Sequence, residues 1–165
     1  MMEYTKYETV LFCTDFSENA DYAFEFAYGI AKRDEGILYI LHVIPENPHR
    51  TLVEAFVSKE DSERMQESIK EDLDNRYREH YAKKIENGIK FEIATKSGGK
   101  DEEIIKFAKE HKADLIVMGT HGRTGIGHVL FGSVAERVLR RSPIPVFMIP
   151  WRKKLEQPQG RSNAS

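Results

Sequence analysis

One cysteine, one tryptophan and no surplus of positive charge leave several functions without their usual chemistry in this 165-residue chain. Cys13 has no second cysteine to pair with, so an intramolecular disulfide is excluded and the usage fits a reducing compartment. Its place inside an apolar run reads as that of a small core residue. Lys and Arg total 25 against 27 for Asp and Glu, a formal net charge of -2. Nothing there grips a nucleic-acid backbone, and no nucleic-acid partner is expected. No stretch approaches the roughly 18 apolar residues needed to span a bilayer, and the opening MMEYTKYETVLFC lacks the basic cap and long apolar centre of a signal peptide. The expectation is a soluble, cytoplasmic protein without a membrane partner. His42, His49, His80 and His111 show neither an HExxH pattern nor paired Cys/His spacing, so no protein-ligated metal is expected.

What is present alternates. TVLFCTDFS (9 to 17) reads as a short buried strand breaking into a polar loop, with Ser17 as the cap of a helix. The helix buries Ala20, Ala23, Phe24, Ala27, Ile30 and Ala31 at spacings of three and four, and Gly36 closes the unit. ILYILHVI (37 to 44) is apolar throughout, as a strand covered on both faces should be. A charged stretch from about 50 to 86 repeats Met65, Ile69, Leu73, Tyr77, Tyr81 and Ile85 every fourth residue. That pattern predicts one amphipathic helix packed on a sheet, with Lys83 and Lys84 in its last turn. Strands follow at 89 to 95, 113 to 119 and 144 to 150, with helices at 101 to 111 and 132 to 142. The third strand alternates and belongs near an edge. Strands alternating with helices predict an α/β fold: a single five-stranded, mainly parallel sheet, Rossmann-like, with helices on both faces. Its ligand site belongs beyond the carboxyl ends of the strands, where strand order reverses. Two polar loops leave strands at that end, one carrying Asp15 and one opening at Gly119. The tail after Trp151 has few apolar residues and is expected to be disordered.

Five of the eleven glycines fall within GTHGRTGIGHVLFGS (119 to 133). No window supplies GxxxxGK[ST] or GxGxxG. GIGH (125 to 128) lacks the paired histidines and the place of a nucleotidyl-transferase motif. SGGKD (97 to 101) approximates the SGGxDS signature of PP-loop pyrophosphatases, but Glu102 replaces the final serine and the motif follows the third strand. It reads as a glycine turn into a helix. The remaining spacing is Gly119, two residues, Gly122, nine residues, Gly132, then Ser133 opening a helix. Free N–H groups at such a helix start suit phosphate oxygens, Gly132 permits their approach and Ser133 adds a hydroxyl. Residues 123 to 131 would arch over the ligand, with Arg123 able to meet a phosphate.

This G-x2-G-x9-G-[ST] pattern, with DLIVMGTHGR and GSVAERVL around it, VLFCTDFS at the first strand and GGKDEEII at the third helix, resembles the ATP-binding branch of the universal stress protein family. The resemblance covers residues 7 to 149. It implies an adenine nucleotide alpha hydrolase-like domain over residues 1 to 150, with 151 to 165 as the tail. It also implies a nucleotide-responsive regulatory protein that binds ATP, with Mg2+ or Mn2+ carried by the phosphates alone. Asp15 would lie near adenine and ribose, the Val43 backbone would bond adenine, and Met118 with Gly119 would line the ribose. Gly122, Arg123, Gly132, Ser133 and Val134 would hold the phosphates. Ala135 stands where some members have a hydroxyl. Members commonly dimerise through the fifth strand, here Val146 to Ile149. His121, His128 and Arg123 lie in or beside the loop, but no carboxylate does, so efficient hydrolysis is not expected. An adenylating or ATP-cleaving enzyme using SGGKD, and a nucleotide-free scaffold dimer, are the alternatives.

Overall fold

A computed structural model describes residues 4 to 46, 57 to 86, 88 to 121 and 131 to 150. Its elements run β1 (Thr9–Thr14), α1 (Glu18–Asp34), β2 (Ile37–Ile44), α2 (Lys59–His80), a 3-10 turn (Ala82–Lys84), β3 (Lys90–Ser97), α3 (Lys100–Glu110), β4 (Leu115–Gly119), α4 (Ser133–Arg141) and β5 (Val146–Ile149). The five strands form one sheet in the order β3-β2-β1-β4-β5, every neighbouring pair parallel. β3 is an edge, as its alternation predicts. The expected tail lies outside the described residues.

Right-handed crossovers decide where the helices lie. The chain moves outward from β1 to β2 to β3, so α1 and α2 cover one face. It then returns past β1 to β4 and β5, so α3 and α4 cover the other. Alternate residues of the buried strands feed the two cores. Val10, Phe12, Leu38, Ile40 and Val117 meet the alanine-rich side of α1, whereas Leu11, Cys13, Leu41, Val43 and Ile116 meet Ile104 and Phe107 of α3 and Val138 of α4. The Ser17 hydroxyl accepts from the Ala20 amide and caps α1 as expected.

The charged stretch departs from the single long helix predicted for it. Within the described residues α2 ends at His80; Tyr81 leaves helical geometry and the chain tightens into the 3-10 turn. A stripe repeating every fourth residue drifts, because each step turns about 400°, roughly 40° past a full circle. The three steps from Tyr77 back to Met65 accumulate about 120°. Only the C-terminal part of the stripe therefore reaches the core. Tyr77 and Tyr81 are buried, whereas Met65 and Ile69 are exposed. Tyr81 ends the helix because its ring packs against Phe12 and Phe24 and its hydroxyl hydrogen-bonds that of Thr14 at the end of β1. Burial pushes its phenol pKa far up, so it stays protonated.

At the opposite end of the sheet, carboxylates stitch the strand starts. Asp114 accepts from the amides of Glu8 and Thr9, each at 2.9 Å. Asp34, at the end of α1, accepts from Arg33 at 2.6 and 2.8 Å and from the Tyr7 amide at 2.9 Å. The Arg33 guanidinium and then the Tyr7 amide hold the Asp34 carboxyl down at about 2, against about 3.9 in an unfolded chain. A lowered folded pKa contributes stability that is complete above about pH 4 and lost as pH falls through about 2. Urea midpoints measured in steps from pH 5 to pH 2 should fall less steeply for Asp34→Asn than for the parent chain. Parallel curves would show that another group governs the acid limb.

Candidate functional site

β1 has β2 on one side and β4 on the other, and the loops leaving β1 and β4 turn to opposite faces. The crevice between them is a cavity of about 470 Å³, within the roughly 300 to 1,000 Å³ usual for small-molecule sites. Its apolar floor is the core of the α3/α4 face, Leu41, Val43, Ile104 and Met118 among it. Cys13 also lines it, and burial pushes its thiol far above the ordinary range, so it remains neutral.

The sequence-predicted residues converge there in part. Asp15, Val43, Met118, Gly119, Gly132, Ser133 and Val134 all line the cavity. Gly122 and Arg123 lie outside the described residues. Ala135 also lines the site, fully within its apolar wall.

Asp15 does not cap α1. Its Oδ1 accepts from the Ser17 amide at 3.1 Å, a local turn that leaves capping to Ser17. The following residue, Phe16, has φ 59°, a left-handed conformation uncommon for an aromatic side chain. It is held there from two directions. The Phe16 amide donates to the Thr14 hydroxyl at 2.9 Å, and its ring packs among His42, Tyr77, His80 and Tyr81. His42 Nδ1 donates to the Thr14 carbonyl at 2.8 Å. The C-terminal end of α2 thus braces the loop that carries Asp15 from behind.

At the second loop, the Gly132 amide donates to the Thr120 carbonyl at 2.7 Å and the Thr120 amide donates to the Ile149 carbonyl at 3.0 Å. The two ends of the glycine-rich segment are therefore pinned together and to β5. Ser133 is the first helical residue of α4, and the N-cap is Gly132, which has no side chain to cap it. That excludes a capping role for Ser133 and leaves the first amides of α4 facing the cavity end of the helix. Gly132 has φ -70°, which any residue adopts, so its backbone conformation does not require glycine.

Gly119 is held to glycine by a neighbouring side chain. It is the last residue of β4, and a Cβ there would lie 2.7 Å from Asn19 Oδ1 and 2.8 Å from its Cγ. Glycine is required by space. Asn19 itself is a functional support that sequence reasoning missed. It is buried in the first turn of α1, donates to the Ile149 carbonyl at 3.2 Å and accepts from the His121 amide at 2.9 Å. Its only signal was a polar residue beside the apolar face of a helix. Thr120, His42 and Lys100 also line the cavity without having been singled out as binding residues.

These features meet at a strand-order reversal with the Gly132-capped start of α4 on its wall, and known proteins share the fold. The model of the universal stress protein family matches residues 6–150. The chain belongs to the universal stress protein family. It is 33% identical over 155 residues to Universal stress protein MJ0577 of Methanocaldococcus jannaschii, covering 87% of this chain and 94% of that one. Against Universal stress protein MJ0531 of the same organism it is 33% identical over 148 residues, covering 90% and 85%. The solved structure of MJ0577 superposes with a TM-score of 0.72 at 30% identity, covering 90% of this chain and 99% of the other. A universal stress protein solved in complex with cAMP has a TM-score of 0.57 at 26% identity, covering 88% and 98%. Among the described residues of this universal stress protein, no helix is long and apolar enough to cross a membrane, and no group of three His, Cys, Asp or Glu could hold a metal ion.

Because Asn19 is buried and bonded on both sides, it cannot swing away from a new methyl group. Gly119→Ala should cost about 1 to 3 kcal/mol, read as a lowered urea midpoint. An unchanged midpoint would show that the Asn19 contact yields freely.

Proposed function

We propose that this universal stress protein is a cytoplasmic regulator that binds ATP at the strand-order reversal and turns it over slowly or not at all. The observation that carries the reading is the start of α4 on the cavity wall, with Gly132 as its cap residue and Ser133 as its first helical residue. Helix N-termini of this kind favour phosphate through free amides and the helix dipole. Asp15 and the Val43 backbone take the adenosine end, Met118 and Gly119 line the ribose, and Gly122, Arg123, Gly132, Ser133 and Val134 serve the phosphates. The related protein in complex with cAMP supports an adenine nucleotide as the ligand class. Mg2+ or Mn2+ would be carried by the phosphates, because Asp15 is the one carboxylate among the described residues lining the cavity. The same scarcity leaves no second acid to hold a metal or to orient water, hence the slow turnover.

The protein should be incubated with ATP labelled at the α and γ phosphates. Retention of intact ATP in a 1:1 complex is expected. Steady release of AMP and pyrophosphate would replace this reading with an adenylating enzyme, and no retention would replace it with a nucleotide-free scaffold. Gly132→Leu should fold normally, since φ at this position suits any residue, yet lose at least tenfold in ATP affinity, roughly 1.4 kcal/mol or more. Unchanged affinity would place the phosphates elsewhere.

Homodimerisation is the second part of the proposal. β5 is an edge strand whose outer side has no strand partner among the described residues, and Phe147 on it is 47% exposed. Two copies pairing Val146–Ile149 would satisfy the edge backbone and cover that ring. Sedimentation should give a dimer for the parent chain and a monomer for Phe147→Asp; a parent chain that sediments as a monomer at micromolar concentration would exclude the pairing.

A further inference from the structure

The third loop at the carboxyl end of the sheet, the SGGKD turn between β3 and α3, enters the same cavity. Lys100, the first residue of α3, lines it. Among the described residues it is the only lysine or arginine to do so, and it makes no ion pair with any of them. Its neighbour Asp101 is not among the residues lining the cavity. That carboxylate is buried and meets Arg137 Nε at 3.1 Å and Arg141 at 2.5 Å, both on α4. These two ion pairs, with a third from Arg141 to Glu102 at 3.7 Å, bind the start of α3 to the helix that begins at Ser133, and Arg137 lies just one turn beyond Ser133. Lys100 and Ser133 open adjacent helices on one cavity wall, and packed helices lie about 8 to 10 Å apart. Lys100 carries its ammonium on a long, flexible stem and shares the cavity with the start of α4.

We propose that Lys100 is a phosphate-binding residue of this site, and that it makes the site selective for adenine nucleotides with a polyphosphate chain over the nucleoside and the monophosphate. The proposal rests on the nucleotide reading above and deepens it. Asp101 is the positioning residue: it keeps α3 against α4 so that the lysine and the helix start act on one ligand. An ammonium in a partly desolvated cavity forms charge-assisted hydrogen bonds with phosphate oxygens that an uncharged nucleoside cannot supply. The expected preference therefore grows with the number of phosphates.

The full chain, Lys100→Met and Lys100→Arg are each titrated calorimetrically with adenosine, AMP and ATP, after urea midpoints have shown equal stability. Lys100→Met should weaken ATP about tenfold, weaken AMP less, and leave adenosine unchanged. Lys100→Arg should keep ATP affinity within about threefold, because the charge remains. ATP affinity unchanged in Lys100→Met would overturn the proposal while leaving the nucleotide site standing. Equal losses for adenosine and ATP would overturn it too, since Lys100 would then be serving the nucleoside or the wall itself. A parent chain that binds none of the three would overturn the nucleotide reading and this proposal together.

Discussion

The right-handedness of the β-α-β crossover is the constraint on which the rest of this molecule depends. Because the chain adds β2 and β3 on one side of β1 and then β4 and β5 on the other, the helices must change faces midway. A gap has to open where the loops after β1 and β4 part. Neither loop needs to be bulky or special to make a cavity; the topology makes it, and the loops furnish it. That is why Asp15 and Gly132, 117 positions apart in the chain, line one space.

A gap created by topology still has to be held to shape, and the supports lie outside the conspicuous motif. Asn19 ties the first turn of α1 to both Ile149 and His121. The Thr120 carbonyl receives the Gly132 amide. Tyr77 and Tyr81 brace Phe16, and through it the Asp15 loop. Each support satisfies a polar group or fills a volume that the reversal leaves behind, and no side-chain N or O among the described buried residues lacks a hydrogen-bond partner. Unmade hydrogen bonds in such a place cost about 1 to 3 kcal/mol each.

The region that departs most from expectation is the one with the weakest tertiary constraint. From Lys59 to about Asp72, α2 carries its charge pattern, its Ser58 cap and its i,i+4 pairs, but it buries little. Its regular four-residue spacing reads on paper as one continuous face. In three dimensions that face spirals, and packing selects only the part of it, Tyr77 and Tyr81, that passes the aromatic cluster at the end of β1. Tyr81 shows the competition directly: the helical pattern would continue through it, but a ring buried against Phe12 and Phe24 and a hydroxyl bound to Thr14 draw the residue out of the helix.

The sequence by itself determined the alternation of strands and helices, the one-domain parallel sheet, the edge position of β3 and the end of the sheet at which the cavity lies. Its fixed glycine spacing marked Gly119, Gly132 and Ser133, and its resemblance to a known family added Asp15, Val43, Met118 and Val134; all seven line the cavity. Tertiary structure alone decided the rest. Gly119 owes its glycine to the Asn19 side chain of another element, a contact between residues 100 positions apart that no local pattern records. Lys100 belonged to a turn that reads as mere punctuation until α3 is laid beside α4 by Asp101, Arg137 and Arg141. Periodicity reports which side of an element faces inward; which distant groups meet there is fixed only when crossovers of one hand bring the elements together.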